Sequence, residues 1–281
     1  MRDTARLSAI FGQSKPKIVI HAAALKHVPL MEENICEAIL TNVGGAVAVA
    51  RAAAASGASH FVFISTDKAV APDNVMGATK RLAELSVSRI ISEARMAGAM
   101  VRFGNVLGSS GSVVPLFERQ IAAGGPVTLT DPDATRYFMT IEEATSLVLQ
   151  AAALQQKQQH AELFVLDMGE PIAIRQLAET MIRLKGKVPG VDIEIITMGM
   201  RKGEKRHEVL TYDHEALEPT AIEGVNRVTS QAPAGELLDK HVNALIEAAR
   251  RHDTSEALRM LGVLVPEYGA ECPAADQRRP A

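Results

Sequence analysis

The segment STDKAVAPDNVMGATKR (65–81) sets Ser65, Thr66, Asp67 and Lys68 directly after the apolar run HFVFI, with Lys80 further along in a helix-like stretch. A carboxyl beside an amine can do acid–base work. Burial raises the pKa of an acid and lowers that of an amine, so both approach neutrality in a dry cleft. The same two residues also read as a plain turn, with Asp67 capping and Lys68 solvated. Met76 lies four residues before Lys80, which puts the two on one face of a helix. A thioether has no proton to move, so Met76 adds shape rather than acid–base chemistry. Lys80 is either a cleft amine or a surface lysine of TKRLAE.

Other groups could join them. His21 ends the run KIVIH and reads as an interior histidine or a base, while Lys26 and His27 follow in reach of a ligand or as loop residues. Ala22, Ala23 and Ala24 are small enough to let a flat ligand approach the backbone. RKGEKRHE (201–208) is either a solvated charge run or a clamp, with Arg201 on a phosphate and Glu204 on a ribose hydroxyl. Arg136 offers a second phosphate partner or a structural ion pair. In GNVLGSSG, which contains Asn105, the glycines fall at 104, 108 and 111. That spacing is not the dinucleotide fingerprint, and a tight loop at a substrate pocket fits it better.

These groups need strand ends and helices to bring them together. KIVIHAA (17–23) reads as a strand buried on both faces, followed by a helix over roughly 32–56. HFVFIS (60–65), AMVRF (99–103) and LFVLDMG (163–169) read as further strands, with helices at 76–97 and about 141–154. A first helix at about 4–12, an amphipathic helix in IAIRQLAETMIRLKG, a strand in VDIEIIT and a last helix at about 235–252 complete the pattern. Alternating strands and helices predict an α/β fold with a parallel sheet. In such sheets ligands bind beyond the carboxyl ends of the strands, which places HAAALKH, STDK and GNV together. The tail from 266 to 281 is small, polar and proline-bearing, and reads as disordered.

Composition narrows the function classes. A net charge of −3 and 4% aromatics, with no Trp, give no electrostatic or stacking case for nucleic acid. Cys36 and Cys272 lack metal-ligand spacing, so no metal is expected and a reducing, cytoplasmic setting is the default. The uncharged run 38–50 is too short to span a bilayer, and MRDTARLSAIFG lacks the apolar core of a signal peptide.

Taken together, HAAALKHVPLMEEN, NVGGAVAVARAA, FISTDKAVAPDNVMGATKRLAE, VRFGNVLGSSGSVVPLF and MRKGEKRHEVL resemble the nucleotide-sugar 4,6-dehydratases of polysaccharide biosynthesis. These are extended short-chain dehydrogenase/reductases similar to UDP-N-acetylglucosamine 4,6-dehydratase, and the resemblance runs over roughly residues 2–228. It implies NAD(P) as cofactor, a UDP-sugar as substrate and a possible homo-oligomer. By this resemblance Lys68 is the C5 base, Asp67 the acid for the C6 hydroxyl, and Thr66 or Ser65 a hydrogen-bond partner near C4. Lys80 would hold the nicotinamide ribose; Ala22, Ala23, Ala24 and Asn42 line the cofactor or support the active-site helix. Lys26, Asn105, Arg136, Arg201 and Glu204 fall around the substrate.

Met76 stands where the family signature Y-x-x-x-K has its Tyr, and so resembles the Met-x-x-x-K variant of the larger, membrane-anchored branch. The resemblance implies a Rossmann-like parallel sheet over 1–105, returning at about 139–168, without the family's first strand, glycine turn and helix. It assigns 106–138 and 169–252 to a smaller α/β nucleotide-sugar-binding part. Competing functional expectations are a catalytically incompetent remnant that binds nucleotide-sugar or a partner, and an epimerase or reductase. Epimerases of this type normally use the Tyr that is Met76 here.

Overall fold

The computed structural model describes residues 1–154, 161–229 and 238–269. The β-branched runs become neighbouring strands: β1 (Ile18–His21), β2 (His60–Ile64), β3 (Ala97–Arg102) and β4 (Ala161–Leu166). All three pairings among them are parallel. A hairpin of β5 (Ala216–Pro219) and β6 (Val225–Thr229) extends the sheet antiparallel through β6, giving the order β1-β2-β3-β4-β6-β5. The fold is therefore the expected α/β class, with a Rossmann-like parallel sheet.

Helices cover both faces. On one side are α1 (Thr4–Ser14), α2 (Val28–Glu33), α3 (Ile35–Ala55) and α4 (Val75–Glu93). The other side carries α6 (Ile141–Leu154), after α5 (Val113–Ala122). Phe61 and Phe63 face the α3–α4 layer, while Val62, Val101 and Phe164 pack with Ala144, Val148 and Ala151 of α6. A third apolar cluster joins Phe117 and Ile121 of α5 to Ala178 and Ile182 of α7 (Ile174–Leu184). It sits beside a small parallel pair, 127–129 with 195–197.

Several expectations need correction. The helix over 32–56 is interrupted at Asn34, whose backbone leaves the helical region and whose amide donates to the Leu30 carbonyl at 2.8 Å. Beyond it, α3 runs unbroken for 21 residues because the flanks of the uncharged run are also helical. Its length and mean hydropathy of 1.4 would suffice to cross a membrane, yet 61% of that window is buried in this protein's own core. Helix α8 (Leu238–Arg250) is followed by an unexpected α9 (Thr254–Leu264), capped by Asp253, and by α10 (Pro266–Gly269) inside the segment read as disordered. Residues 235–237 of the expected last helix and 270–281 of the tail lie outside the described residues. Leu245 and Leu261 of this helix pair are fully buried against the α3–α4 layer. Each such leucine contributes about 1.5–3 kcal/mol relative to exposure.

The strand read as buried on both faces is buried on one. Val19 and His21 point into the core, but Ile18 and Ile20 are 60% and 51% exposed. β1 is an edge strand, and the α6 side of the sheet packs on Val62, Val101 and Phe164 of β2, β3 and β4.

An arginine closes the sheet's carboxyl end. Arg102, at the end of β3, is fully buried and makes a two-pronged contact with Glu84 of α4, 2.8 Å on each arm. Its remaining arm donates to Glu215 at 2.8 Å, and Arg81 adds a 3.2 Å contact to Glu84. Burial alone would raise Glu84, but the charges of Arg102 and Arg81 reverse that and hold its pKa down to about 2. Removing one partner from a buried ion pair costs about 3–5 kcal/mol, because the other charge is left uncompensated.

Three outcomes are expected. Arg102→Met should lower the unfolding free energy by about 3–5 kcal/mol in denaturant titrations; a loss below about 1 kcal/mol would show the network to be dispensable. Acid should weaken the fold in two overlapping stages. His21 is depressed from 6.5 to about 4, chiefly by burial, so the unfolded chain takes up its proton first and stability falls from pH 6.5 toward 4. Glu84 is depressed from 4.5 to about 2, so its contribution is intact above 4.5 and disappears as the pH falls toward 2. A midpoint that stays flat between pH 6.5 and 2 would contradict both. Ile20→Lys should keep the midpoint within about 0.5 kcal/mol and raise the concentration at which light scattering shows a monodisperse chain. Unchanged or worse aggregation would mean the β1 edge is not the exposed liability.

Candidate active site

Backbone pairing continues past the end of β2 at Ile64. Ser65 N–H donates to the Val101 carbonyl (2.8 Å) and Asp67 N–H to that of Phe103 (3.1 Å), so the chain stays paired with its neighbour until a 3-10 turn begins. That turn, Asp67–Ala69, is capped by Thr66. Asp67 is buried, and its Oδ1 accepts from the Thr66 hydroxyl (2.7 Å), the Lys68 N–H (2.9 Å) and Lys68 Nζ (3.0 Å). Its Oδ2 is buried without a protein partner.

The turn is pressed against the start of α4. A Cβ at Gly77 would lie 2.2 Å from the Lys68 carbonyl oxygen, so only glycine permits this approach. Asn74 caps α4 through Gly77 N–H at 2.8 Å and also donates to the Gly203 carbonyl at 2.8 Å. Gly203 has φ +76, and a side chain there would also strike Asn74.

Lys68, Met76 and Lys80 all line one cleft of about 530 Å³. Lys68 Nζ reaches Asn105 Oδ1 at 3.3 Å and Glu208 Oε1 at 3.4 Å besides Asp67. Burial pushes its pKa down, but the charges of Asp67 and Glu208 outweigh that and hold it above 10.5. This corrects the expectation that burial lowers Lys68. Burial does lower Lys80, to about 8. Its Nζ donates to the Ile64 carbonyl at 2.6 Å and sits 4.1 Å over the Phe63 ring, so Lys80 is a cleft amine and not a surface lysine.

Asn42 lies in a π-helical stretch of α3, Ile39–Gly44. Its side-chain amide donates to the Leu25 carbonyl (2.9 Å) and Thr79 Oγ1 (3.0 Å), while its oxygen accepts from Leu25 N–H (2.8 Å). One asparagine thus fixes the loop after β1 to α4. Of the three alanines on that loop, Ala22 and Ala24 line the cleft and Ala23 does not. Lys26 lines it too, its pKa lowered by burial and by the charge of Lys68. His21 is buried and stacked on Phe63, with ring centroids 5.7 Å apart, as an interior histidine would be.

Arg136, Arg201 and Glu204 also border the cleft. Arg136 already donates to the carbonyls of Thr135, Lys205 and Arg206 at 2.7–3.0 Å, so it mainly braces a loop. Arg201 and Glu204 stand 4.0 Å apart. Sequence reasoning missed Glu208, although it lies within RKGEKRHE; nothing in a charge run marks which member turns inward. It also missed the Arg102 network. An arginine inside the run AMVRF was the available signal, since a buried charge must find a partner.

The family described as "Polysaccharide biosynthesis protein" matches residues 1–230. The capsular polysaccharide biosynthesis protein CapD of Staphylococcus aureus is 50% identical over 228 residues, 81% of this chain and 37% of that protein. A UDP-N-acetylglucosamine 4,6-dehydratase (inverting) of Campylobacter jejuni is 35% identical over 76% of this chain and 64% of its own length. The chain therefore spans between about a third and two thirds of these two relatives. Among solved structures, Pen from Bacillus thuringiensis superimposes with a TM-score of 0.70 at 31% identity, covering 88% of this chain and 79% of that one. On sequence and fold together, the chain belongs to the polysaccharide biosynthesis protein family.

Proposed function

We propose that this chain carries the acid–base centre of a nucleotide-sugar 4,6-dehydratase that acts on a UDP-amino sugar, UDP-N-acetylglucosamine, with NAD(P) as cofactor. The observation that carries the reading is the pair of buried Asp67 and half-buried Lys68, 3.0 Å apart, with Lys68 lining the cleft that Met76 and Lys80 also line. Neighbouring acid and amine groups suit elimination of water across two adjacent carbons. The Campylobacter jejuni relative, a UDP-N-acetylglucosamine 4,6-dehydratase, supports the substrate class.

The residues present fit the nicotinamide end of the cofactor. Small Ala22 and Ala24 leave room beside the backbone, and buried Lys80 can hold a ribose hydroxyl and present a positive charge. When bound, NAD(P) supplies the oxidation at C4 and the reduction at C6. A ketone at C4 acidifies the C5 proton. Lys68 takes that proton as a free amine, the C5–C6 double bond forms, and Asp67 protonates the departing C6 oxygen, which leaves as water. Lys68 then returns its proton to C5 while C6 is reduced. The starting forms, neutral amine and protonated acid, arise from the ion pair by one proton transfer across 3.0 Å. Thr66 hydrogen-bonds the sugar near C4. Since Met76 moves no proton, the C4 hydroxyl relies on Thr66, water or a neighbouring charged group. Asn105, Arg201 and Glu204 serve the UDP end, with Lys26 and Arg136 at its border.

A second reading is nucleotide-sugar binding without turnover. Epimerisation is disfavoured by Met76. The readings separate in deuterated water with UDP-N-acetylglucosamine and NAD(P). The dehydratase should give a 4-keto-6-deoxy product bearing deuterium at C5. Lys68→Ala should cut C5 exchange by about a hundredfold or more. Exchange retained in that variant would remove Lys68 from the base role, and UDP-sugar binding without product would favour the second reading.

A further inference from the structure

The loop 201–208 is fastened to the segment that carries the catalytic turn. Lys205 Nζ donates to the carbonyls of Val70, at 2.9 Å, and Ala71, and pairs with Asp73 at 3.4 Å. Gly203 accepts from Asn74. Lys202 pairs with Glu32 at 3.3 Å, and Glu32 in turn accepts from Val75 N–H at the start of α4 at 2.8 Å. These anchors deliver Glu208, itself only 6% exposed, to the cleft.

We infer that Glu208 is a positioning residue of the site: it aims the Lys68 amine between Asp67 and Asn105 and favours its charged form. The inference rests on the dehydratase reading only for what that charge means to catalysis. Glu208 Oε1 lies 3.4 Å from Lys68 Nζ and 3.8 Å from Arg136 Nε, and Oε2 is buried without a protein partner. Arg136 does not depend on this carboxylate, because three carbonyls already accept from it. Lys68 does. The groups around it are Asp67, Glu208 and Asn105, with Arg136 and Lys26 as the nearby like charges. Without Glu208, one carboxylate would face three cationic side chains.

The arrangement also links two jobs. Arg201 and Glu204 line the cleft from the same loop that ends in Glu208. A ligand that moves this loop therefore changes the charge beside Lys68. After elimination, Lys68 holds the C5 proton and Asp67 is again a carboxylate; Glu208 stabilises the ammonium at that stage and opposes its loss before it.

Competitive acetylation of the purified full chain with trace acetic anhydride, read on the Lys68 peptide by mass spectrometry across the lysine titration range, tests this. Glu208→Gln should lower the apparent pKa of Lys68 by about one unit, a tenfold rise in free amine at a fixed pH below it. Glu208→Asp should restore most of the wild-type profile, and Asp67→Asn should also shift it. An unchanged Lys68 profile in Glu208→Gln, while Asp67→Asn shifts it, would overturn the inference. Should Glu208→Gln fail to fold, Lys205→Met loosens the loop and leaves both charges in place. It should shift Lys68 in the same direction by less, and no shift there would also overturn the inference. The titration needs no turnover, so a dehydratase assay can fail while the effect of Glu208 on Lys68 stands, and the reverse.

Discussion

A guanidinium buried at the carboxyl end of a parallel sheet must be neutralised where it stands, and much of this architecture follows from that need. Arg102 is fully buried and is met by Glu84 and Glu215. Glu84 fixes the rotation of α4 about its axis. Lys80 and Met76 lie four and eight residues before it, hence on the same stripe, and so are turned into the cleft. On the other side, Glu215 accepts from Tyr212 N–H, and the Tyr212 hydroxyl donates to the Ala69 carbonyl in the Asp67–Ala69 turn. One buried charge thereby registers the helix bearing Lys80 against the turn bearing Asp67 and Lys68.

The remaining parts of the site are fixed by loops, which would otherwise be the least constrained backbone in the molecule. Two side chains tie them down. Asn42 satisfies both the donor and the acceptor of Leu25 while holding Thr79, and it does so from a π-helical stretch, a distortion that recurs at functional sites. Lys205 gives its amine to two carbonyls just past the Asp67–Ala69 turn.

Elements whose local chemistry agrees with their packing were legible. HFVFI and AMVRF carry enough β-branched and aromatic residues to be buried strands. α4 was expected over 76–97 and runs Val75–Glu93, since Ala97 and Gly98 already belong to β3; α6 matched its predicted 141–154 span. What could not be read depends on partners distant in sequence. The exposure of Ile18 and Ile20 is decided by what packs on that face among the described residues, not by the residues themselves. Glu208 looks like any member of a charged run until Lys205 pins the loop. The Asp67–Lys68 pair was found by type and adjacency, but the direction of the Lys68 shift required Glu208, a third group far along the chain.

The two cleft lysines show how one fold keeps like groups in unlike states. Lys80 is buried and Lys68 half-buried, and removal from water presses both toward the neutral amine. Lys68 has two carboxylates within 3.4 Å and stays charged. Lys80 has a carbonyl and an aromatic face, while Glu84, its nearest favourable charge, is already committed to Arg102. Its pKa therefore drops to about 8. Environments that drive similar groups apart are a mark of divided acid–base labour. On the proposed dehydratase reading Met76 moves no proton, so acid–base work would fall on Asp67 and the lysines and, at C4, on Thr66, water or a neighbouring charged group. Met76 itself is buried and gives the cleft an apolar lining beside them.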